Sequence, residues 1–201
     1  MKKIFIISAA LFLAGYSQAQ TKSTSSESPR VGIKGGLNVM KFAGDPDPKS
    51  EFNTGFSAGV FTNIPVSGKL SFEPSAEFSQ KGAEYTFGSI ERKSKISYID
   101  LPLMAKYNVT PAFGLFAGPQ VSFFVDSETK FVGNNGSTTI EDNTDNYRKS
   151  LAGGKIGASY NFGSIALNGS YATDLQEIFK EDLNLANLKN QVINVGLAYK
   201  F

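Results

Sequence analysis

The chain has 201 residues with 20 Lys+Arg, 18 Asp+Glu, no His and no Cys. Without Cys an exported chain has no disulfide staples, and without His or Cys there is no Ser–His–Asp triad, thiolate nucleophile or His/Cys metal centre. The near balance of charge supplies no basic surface and argues against a nucleic-acid partner.

The N-terminus carries the pattern of a secretory signal. Lys2 and Lys3 form the charged region, Ile4 to Leu13 the short apolar region, and Ser17-Gln18-Ala19 the small residues before a cut. We expect residues 1–19 to be the signal peptide, 20–29 a flexible Ser-rich lead-in, and 30–201 one domain. Removing Lys2 and Lys3 leaves 18 basic against 18 acidic residues. Beyond the signal no segment offers the ~20 apolar residues of a transmembrane helix, so a membrane-integral form of this chain must be a closed barrel.

About eight segments then alternate apolar and polar at period two. In Val31–Phe42, Val31, Ile33, Leu37 and Val39 oppose Lys34 and Asn38. In Thr54–Ile64, Phe56, Ala58, Val60 and Ile64 oppose Ser57, Gly59 and Asn63. Leu70–Phe87 sets Leu70, Phe72, Ala76 and Phe78 against Glu73, Ser75, Glu77 and Ser79. Lys95–Val109 sets Ile99, Leu101, Leu103, Ala105 and Tyr107 against Asp100, Met104, Lys106 and Asn108. The fifth segment, Phe113–Val125, turns Leu115, Ala117, Val121 and Phe123 outward. Tyr147–Phe162 opposes Ile156, Ala158, Tyr160 and Phe162 to Lys155, Ser159 and Asn161. Ser164–Thr173 and Lys189–Phe201 complete the set.

The last segment is the clearest. Ile193, Val195, Leu197, Tyr199 and Phe201 share one face; Val192, Asn194, Gly196, Ala198 and Lys200 share the other. Alternation ending on a terminal aromatic is how an outer-membrane β-barrel closes. The connections alternate too. Pro65–Lys69, Thr110–Ala112 and Gly163 are short. Gly44–Phe52, Asp126–Asn146 and Asp174–Leu188 are long, and Gly88–Ser94 is either a loop or strand extension. Short periplasmic turns and long outer loops give this rhythm. The expected fold is all-β: an eight-stranded antiparallel up-and-down transmembrane barrel with both termini on the periplasmic side.

Lys34, Glu73, Glu77, Lys81, Asp100, Lys106, Lys155 and Lys200 fall on the inward register, as do many glycines, among them Gly36 and Gly196. Eight strands leave an interior just wide enough for side chains. A charge there must be paired or hydrated. The expectation is therefore a structural polar network of Lys34, Glu73, Glu77, Asp100, Lys106, Lys155 and Lys200, with Glu73 or Glu77 meeting Lys106 or Asp100 across neighbouring strands. A polar channel or ligand pocket is the sharper reading of the same residues. Tyr107, Phe113, Tyr160, Phe162, Tyr199 and Phe201 fit an interfacial girdle. No catalytic, cofactor or metal site is expected. Gly153-Gly154-Lys155-Ile156-Gly157 lacks the Ser or Thr of a phosphate loop. The acidic loops Asp45–Pro48 and Glu141–Asp145, the latter following Gly133–Gly136, lack EF-hand spacing. Leu175–Leu188 allows a short amphipathic helix that caps the mouth or meets lipid, or else strand extension.

Several segments resemble the PorT-type outer-membrane β-barrel proteins of Bacteroidetes. They are Val31-Gly32-Ile33-Lys34-Gly35-Gly36-Leu37-Asn38, Phe72-Glu73-Pro74 with Phe78-Ser79-Gln80-Lys81-Gly82, and Gly114-Leu115-Phe116-Ala117-Gly118-Pro119. The most specific is Tyr98-Ile99-Asp100-Leu101-Pro102-Leu103 followed by Lys106-Tyr107. The resemblance implies the barrel and the outer membrane. The founding member is linked to protein export, a role that a shared barrel does not transfer. Tyr199-Lys200-Phe201 resembles the signal read by the barrel-assembly machinery, with Tyr199 and Phe201 carrying it. The expected partners are outer-membrane lipid and that machinery, with envelope or secretion partners as further candidates. The leading function is a non-enzymatic scaffold for the outer loops. The others are a narrow pore or secretion accessory, a lipid- or glycan-modifying enzyme working through Glu73 and Glu77, and a soluble lipocalin-like binder.

Overall fold

Alternation along each strand sends one set of side chains into the barrel and the other outward, because successive Cβ atoms point to opposite faces. The computed structural model describes residues 28–45, 50–87, 90–133, 136–141, 146–179 and 187–201. Its strands are β1 (Arg30–Asp45), β2 (Asn53–Ser67), β3 (Leu70–Phe87), β4 (Ile90–Asn108), β5 (Phe113–Gly133), β6 (Gly136–Glu141), β7 (Ser150–Phe162), β8 (Ile165–Asp174) and β9 (Asn187–Lys200). Eight of them, all but β6, pair antiparallel with their sequence neighbours, and β1–β9 closes the ring. No described helix is long and apolar enough to cross a membrane.

The outward face is apolar. Leu37 is 71 % exposed while its neighbour Asn38 is 1 % exposed. Ile33, Leu115, Ile156, Leu167, Val195 and Leu197 are likewise exposed, and Ser57, Glu77, Asp100, Lys106 and Ser159 are buried. An apolar belt of this extent around a polar interior is the inside-out arrangement of a lipid-embedded barrel. The soluble lipocalin-like alternative requires the reverse and is set aside. Tyr107, Phe113, Tyr160, Phe162, Tyr199 and Phe201 are exposed at the end carrying the short turns. Tyr160–Phe162 and Tyr199–Phe201 pack as ring pairs, with centroids 4.7 and 5.3 Å apart.

The upper half departs from the sequence reading. β3, β4 and β5 are 18, 19 and 21 residues long. Spanning takes about 9–11 residues, so these strands continue beyond the hydrocarbon. Of Gly88–Ser94, residues 90–94 are strand extension, since β4 starts at Ile90, and Gly88 and Ser89 lie outside the described residues. The expected long loop Asp126–Asn146 is largely strand as well: β5 runs on to Gly133 and β6 pairs with it from Glu128↔Glu141 to Gly133↔Gly136. The signal that was missed is a bulge. Tyr98 pairs with Phe124 and Ser97 with Asp126, which leaves Val125 unopposed. Inward residues of β5 therefore change from Gln120 and Ser122 to Ser127 and Thr129, and the period-two pattern breaks there.

Leu175–Leu188 shows no helix over its described residues; Leu188 belongs to β9 and residues 175–179 fold across the mouth. Residues 180–186 lie outside the described set, as do the signal segment, the lead-in up to residue 27, Pro46–Lys49, Asn134–Asn135 and Asp142–Asp145.

Candidate functional site in the barrel lumen

Inward residues at successive levels of neighbouring strands stack the lumen in layers. At the short-turn end Lys106 on β4 faces Glu73 on β3 at 4.0 Å. Asn63 on β2 donates to Glu73 at 3.4 Å. Lys200 on β9 donates to Asn161 on β7 at 3.2 Å. Phe61, Ala166 and Ala198 form a small buried apolar cluster at this end, with Lys34 Nζ 5.6 Å from the Phe61 ring centre.

The middle layer centres on Glu77. Its carboxylate meets Lys34 at 2.9 Å and Lys155 at 3.2 Å, and accepts from Ser75 at 2.9 Å. β1, β3 and β7 thus meet across the lumen at one carboxylate. Above it Asn194 donates to Asn38 Oδ1 at 2.7 Å and to Ser57 at 3.1 Å, and Asn38 donates to Ser79 at 3.2 Å.

The next layer centres on Lys81, 2 % exposed. Its ammonium lies 3.3 Å from Asp100 and 3.3 Å from Asp174, donates to Ser122 at 2.7 Å, and sits 4.8 Å from the Tyr98 ring centre. Asn190 donates to the other Asp174 oxygen at 2.7 Å. One lysine between two carboxylates, with further hydrogen bonds from Lys81 to Ser122 and from Asn190 to Asp174, is how a buried charge becomes tolerable. Tyr98 Oη, Gln120 Oε1 and Asn190 Oδ1 have no hydrogen-bond partner among the described residues, and Asp100 Oδ1 has only the Lys81 ammonium.

Over this layer sits an apolar lid. Phe42, Ala83, Ile96, Tyr98, Tyr147, Leu151, Ile178 and Leu188 form one buried cluster. Phe124 stacks on Tyr147 at 5.1 Å, and Tyr147 meets Phe179 at 5.1 Å. The backbone ties the lid down: Ile178 N–H donates to Leu188 and Arg148 N–H donates to Ile178, at 2.8 and 2.9 Å. Outside the membrane span, Lys93 pairs with Glu91 and Glu84 at 3.2 and 3.3 Å. Its hydrogen bonds to those carboxylates hold its pKa above the usual lysine value.

Of the residues singled out from the sequence, the structure brings Lys34, Glu77 and Lys155 into one cluster, and Glu73 and Lys106 into a looser pair. Glu77 and Asp100 are cross-strand partners but pair with different lysines. Lys200 reaches an amide rather than an acid. Asp174 and Asn190 were missed: Asp174 reads as the first residue of a loop, yet it ends β8 and is 3 % exposed. Its link to Lys81 spans 93 residues of sequence, and no local pattern carries it. Tyr199 and Phe201 lie on the outer surface, and the Phe201 N–H donates to Val31 at 2.9 Å, fixing the chain end to β1.

The layers leave little room. A cavity of about 30 Å³ is lined in part by Lys34, Glu73, Glu77, Lys155 and Asn194, and one of about 10 Å³ by Asn38, Lys81, Asp100 and Gln120. Such volumes hold about one or two waters.

Three solved structures illustrate what the chain is similar to. Neisserial surface protein A aligns with a TM-score of 0.52 at 13% identity, over 87% of this chain and 100% of that one. Ail, the attachment invasion locus protein of Yersinia pestis, aligns with a TM-score of 0.48 at 13% identity, over 86% and 98%. OprG from Pseudomonas aeruginosa aligns with a TM-score of 0.42 at 14% identity, over 90% and 99%. At such identities the likeness to the neisserial protein speaks for the fold alone. No curated protein matches the chain. The model of the outer membrane protein beta-barrel domain matches residues 18–180. With that match spanning most of a closed, apolar-faced, eight-stranded barrel, the chain belongs to the outer membrane protein beta-barrel domain family.

Proposed function

We propose that this protein is a non-enzymatic outer-membrane barrel whose filled lumen makes it a rigid scaffold for its outer extensions. The observation that carries this is the stack of two ion clusters, Lys34–Glu77–Lys155 and Asp100–Lys81–Asp174, beneath the Tyr147–Ile178 lid. Each cluster ties strands from opposite sides of the barrel. Lys34, Glu73, Glu77, Asp100, Lys106, Lys155 and Lys200 act here as structural residues, together with Lys81 and Asp174. Within the family we place the chain with the PorT-type barrels, on the Tyr98–Leu103 segment and Lys106-Tyr107. Export by a signal peptide cut after Ala19 belongs to this reading, as does recognition of Tyr199 and Phe201 by the assembly machinery.

The test is to neutralise Lys34, Glu77, Lys155, Lys81, Asp100 and Asp174 together and refold the protein in detergent. The scaffold reading expects a marked fall in the temperature at which the folded species is lost on a heat-modifiability gel. Unchanged heat stability would sink it.

A further inference from the structure

On the outside of the barrel, around the closing β1–β9 seam, the ladder registers arrange outward residues in rows. One row runs Phe56, Leu37, Val195, Gly169 across β2, β1, β9 and β8, and the row above it runs Thr54, Val39, Ile193, Tyr171. Phe56, Leu37, Val195, Val39, Ile193 and Tyr171 are all exposed, as residues that face lipid are. In the next row the chemistry changes at once: Lys41 opposes Gln191, and Gln191 opposes Thr173. In the row above that, Lys189 opposes Ala43, which sets it diagonal to Lys41 on the same outer face.

The height of this change fixes its meaning. Val31 lies at the short-turn end, where its carbonyl accepts from the Phe201 N–H. From Val31 to Lys41, β1 climbs about 33 Å along the strand, or about 25 Å in height at a tilt of about 40°. The apolar band of an outer-membrane barrel is also about 25 Å tall. Lys41, Gln191 and Lys189 therefore stand at headgroup level on the long-loop side. Lys41 and Lys189 are half-buried, and neither has an ion pair or hydrogen bond among the described residues. Lys41 Nζ lies 5.4 Å from the ring centre of Phe52, which is 58 % exposed. The chain before Phe52 is pinned: Ser50 donates to the Phe42 carbonyl at 2.7 Å, and Glu51 exchanges backbone hydrogen bonds with Glu84. The opposite wall differs. There Lys95 opposes Glu128, and Lys93 pairs with Glu84 and Glu91. On the seam face the acid by register is Asp45, above Lys189 and farther from the hydrocarbon.

We propose that this seam face binds one anionic phospholipid of the outer leaflet, with its headgroup phosphate on Lys41, Lys189 and Gln191. Its acyl chains lie along Leu37, Val39, Ile193 and Val195. Two ammonium groups and an amide offer phosphate oxygens several donors at once, and those from the ammonium groups are of the strong, charge-assisted kind. Uncompensated cations directly above exposed apolar rows fit a molecule with an anionic head and an apolar tail. The exposed Phe52 ring suits the same boundary between headgroup and hydrocarbon. This site is on the outer wall, so it stands or falls apart from the scaffold reading, which is tested by the heat stability of the luminal clusters.

The test places the refolded protein in phosphatidylcholine nanodiscs and raises the phosphatidylglycerol fraction stepwise at constant total lipid. Backbone amide signals of Lys41, Thr173, Lys189 and Gln191 are followed by NMR, with Lys95 as the reference on the opposite wall. The proposal expects saturable shifts in the seam signals while Lys95 stays unmoved. Replacing Lys41→Gln and Lys189→Gln together weakens binding by about tenfold or more; Lys41→Arg with Lys189→Arg retains it; Lys95→Gln leaves it unchanged. Each single glutamine replacement gives a smaller loss, which keeps the proposal testable if the double variant does not fold. Equal shifts at Lys95 would overturn the proposal in favour of general attraction of the rim to anionic lipid. Unchanged affinity in the glutamine variants would overturn it outright. The same seam shifts on adding soluble glycerol phosphate to pure phosphatidylcholine discs would overturn it in favour of a free oxyanion.

Discussion

Lys81 Nζ and Asp174 Oδ1 lie 3.3 Å apart in the lumen, joining β3 to the end of β8. Asp100 shares the same ammonium from β4. Removing the shared partner should therefore cost more than removing either carboxylate. Lys81→Met leaves two buried carboxylates facing each other and is expected to destabilise by about 3–5 kcal/mol. Asp174→Asn keeps one ion pair and the Asn190 neighbour, and should cost about 1–3 kcal/mol. Urea unfolding of the refolded variants, followed by gel mobility, ranks the two.

The same logic orders the middle layer. Glu77→Gln strands Lys34 and Lys155 against each other, for a loss of about 3–5 kcal/mol. Lys155→Met leaves Glu77 with Lys34 and Ser75 and should cost clearly less. A midpoint for Lys155→Met below that of Glu77→Gln would show that Glu77 is not the hub.

The lid rests on the Phe124–Tyr147–Phe179 stack. Tyr147→Ala removes a buried ring and the hydroxyl to which Ser127 donates at 3.0 Å. The local cost is about 3–5 kcal/mol. Because Tyr147 sits outside the strands that close the barrel, the loss should be local. Limited proteolysis is expected to cut the 175–179 segment in the variant while the heat-modifiable core stays intact.

Gly36 and Gly196 face each other across the closing β1–β9 seam. A Cβ on Gly196 would fall 2.8 Å from Gly36 Cα, closer than real Cβ contacts allow. Gly196→Val should abolish the heat-modifiable species by preventing closure. Gly169→Ala, where a Cβ meets nothing within 4 Å, should refold as wild type.

How far the sequence reveals all this depends on height in the barrel. In the lower half one face meets lipid and the other the lumen. Strict alternation therefore marks both, and Leu37 beside Asn38 or Val195 beside Asn194 can be assigned by eye. Above the membrane both faces of β4 and β5 meet water or protein, so the pattern loses contrast, and the bulge at Val125 shifts it by one residue. The charged residues read as inward, and the neighbouring-strand approach of Glu73 and Lys106 could be anticipated, but partners across the lumen could not. Glu77 meets Lys34 and Lys155 because β1 and β7 lie across the lumen from β3, which is a property of closure rather than of any strand. Asp174 was hidden for the same reason: its partner Lys81 comes from β3.

The most direct test of a filled lumen is ionic current through the purified wild-type barrel in a planar bilayer. The ion clusters and the lid predict no steady conductance above the bare membrane over hours of recording. A steady, ion-selective single-channel step would contradict the filled interior and establish the narrow pore in its place.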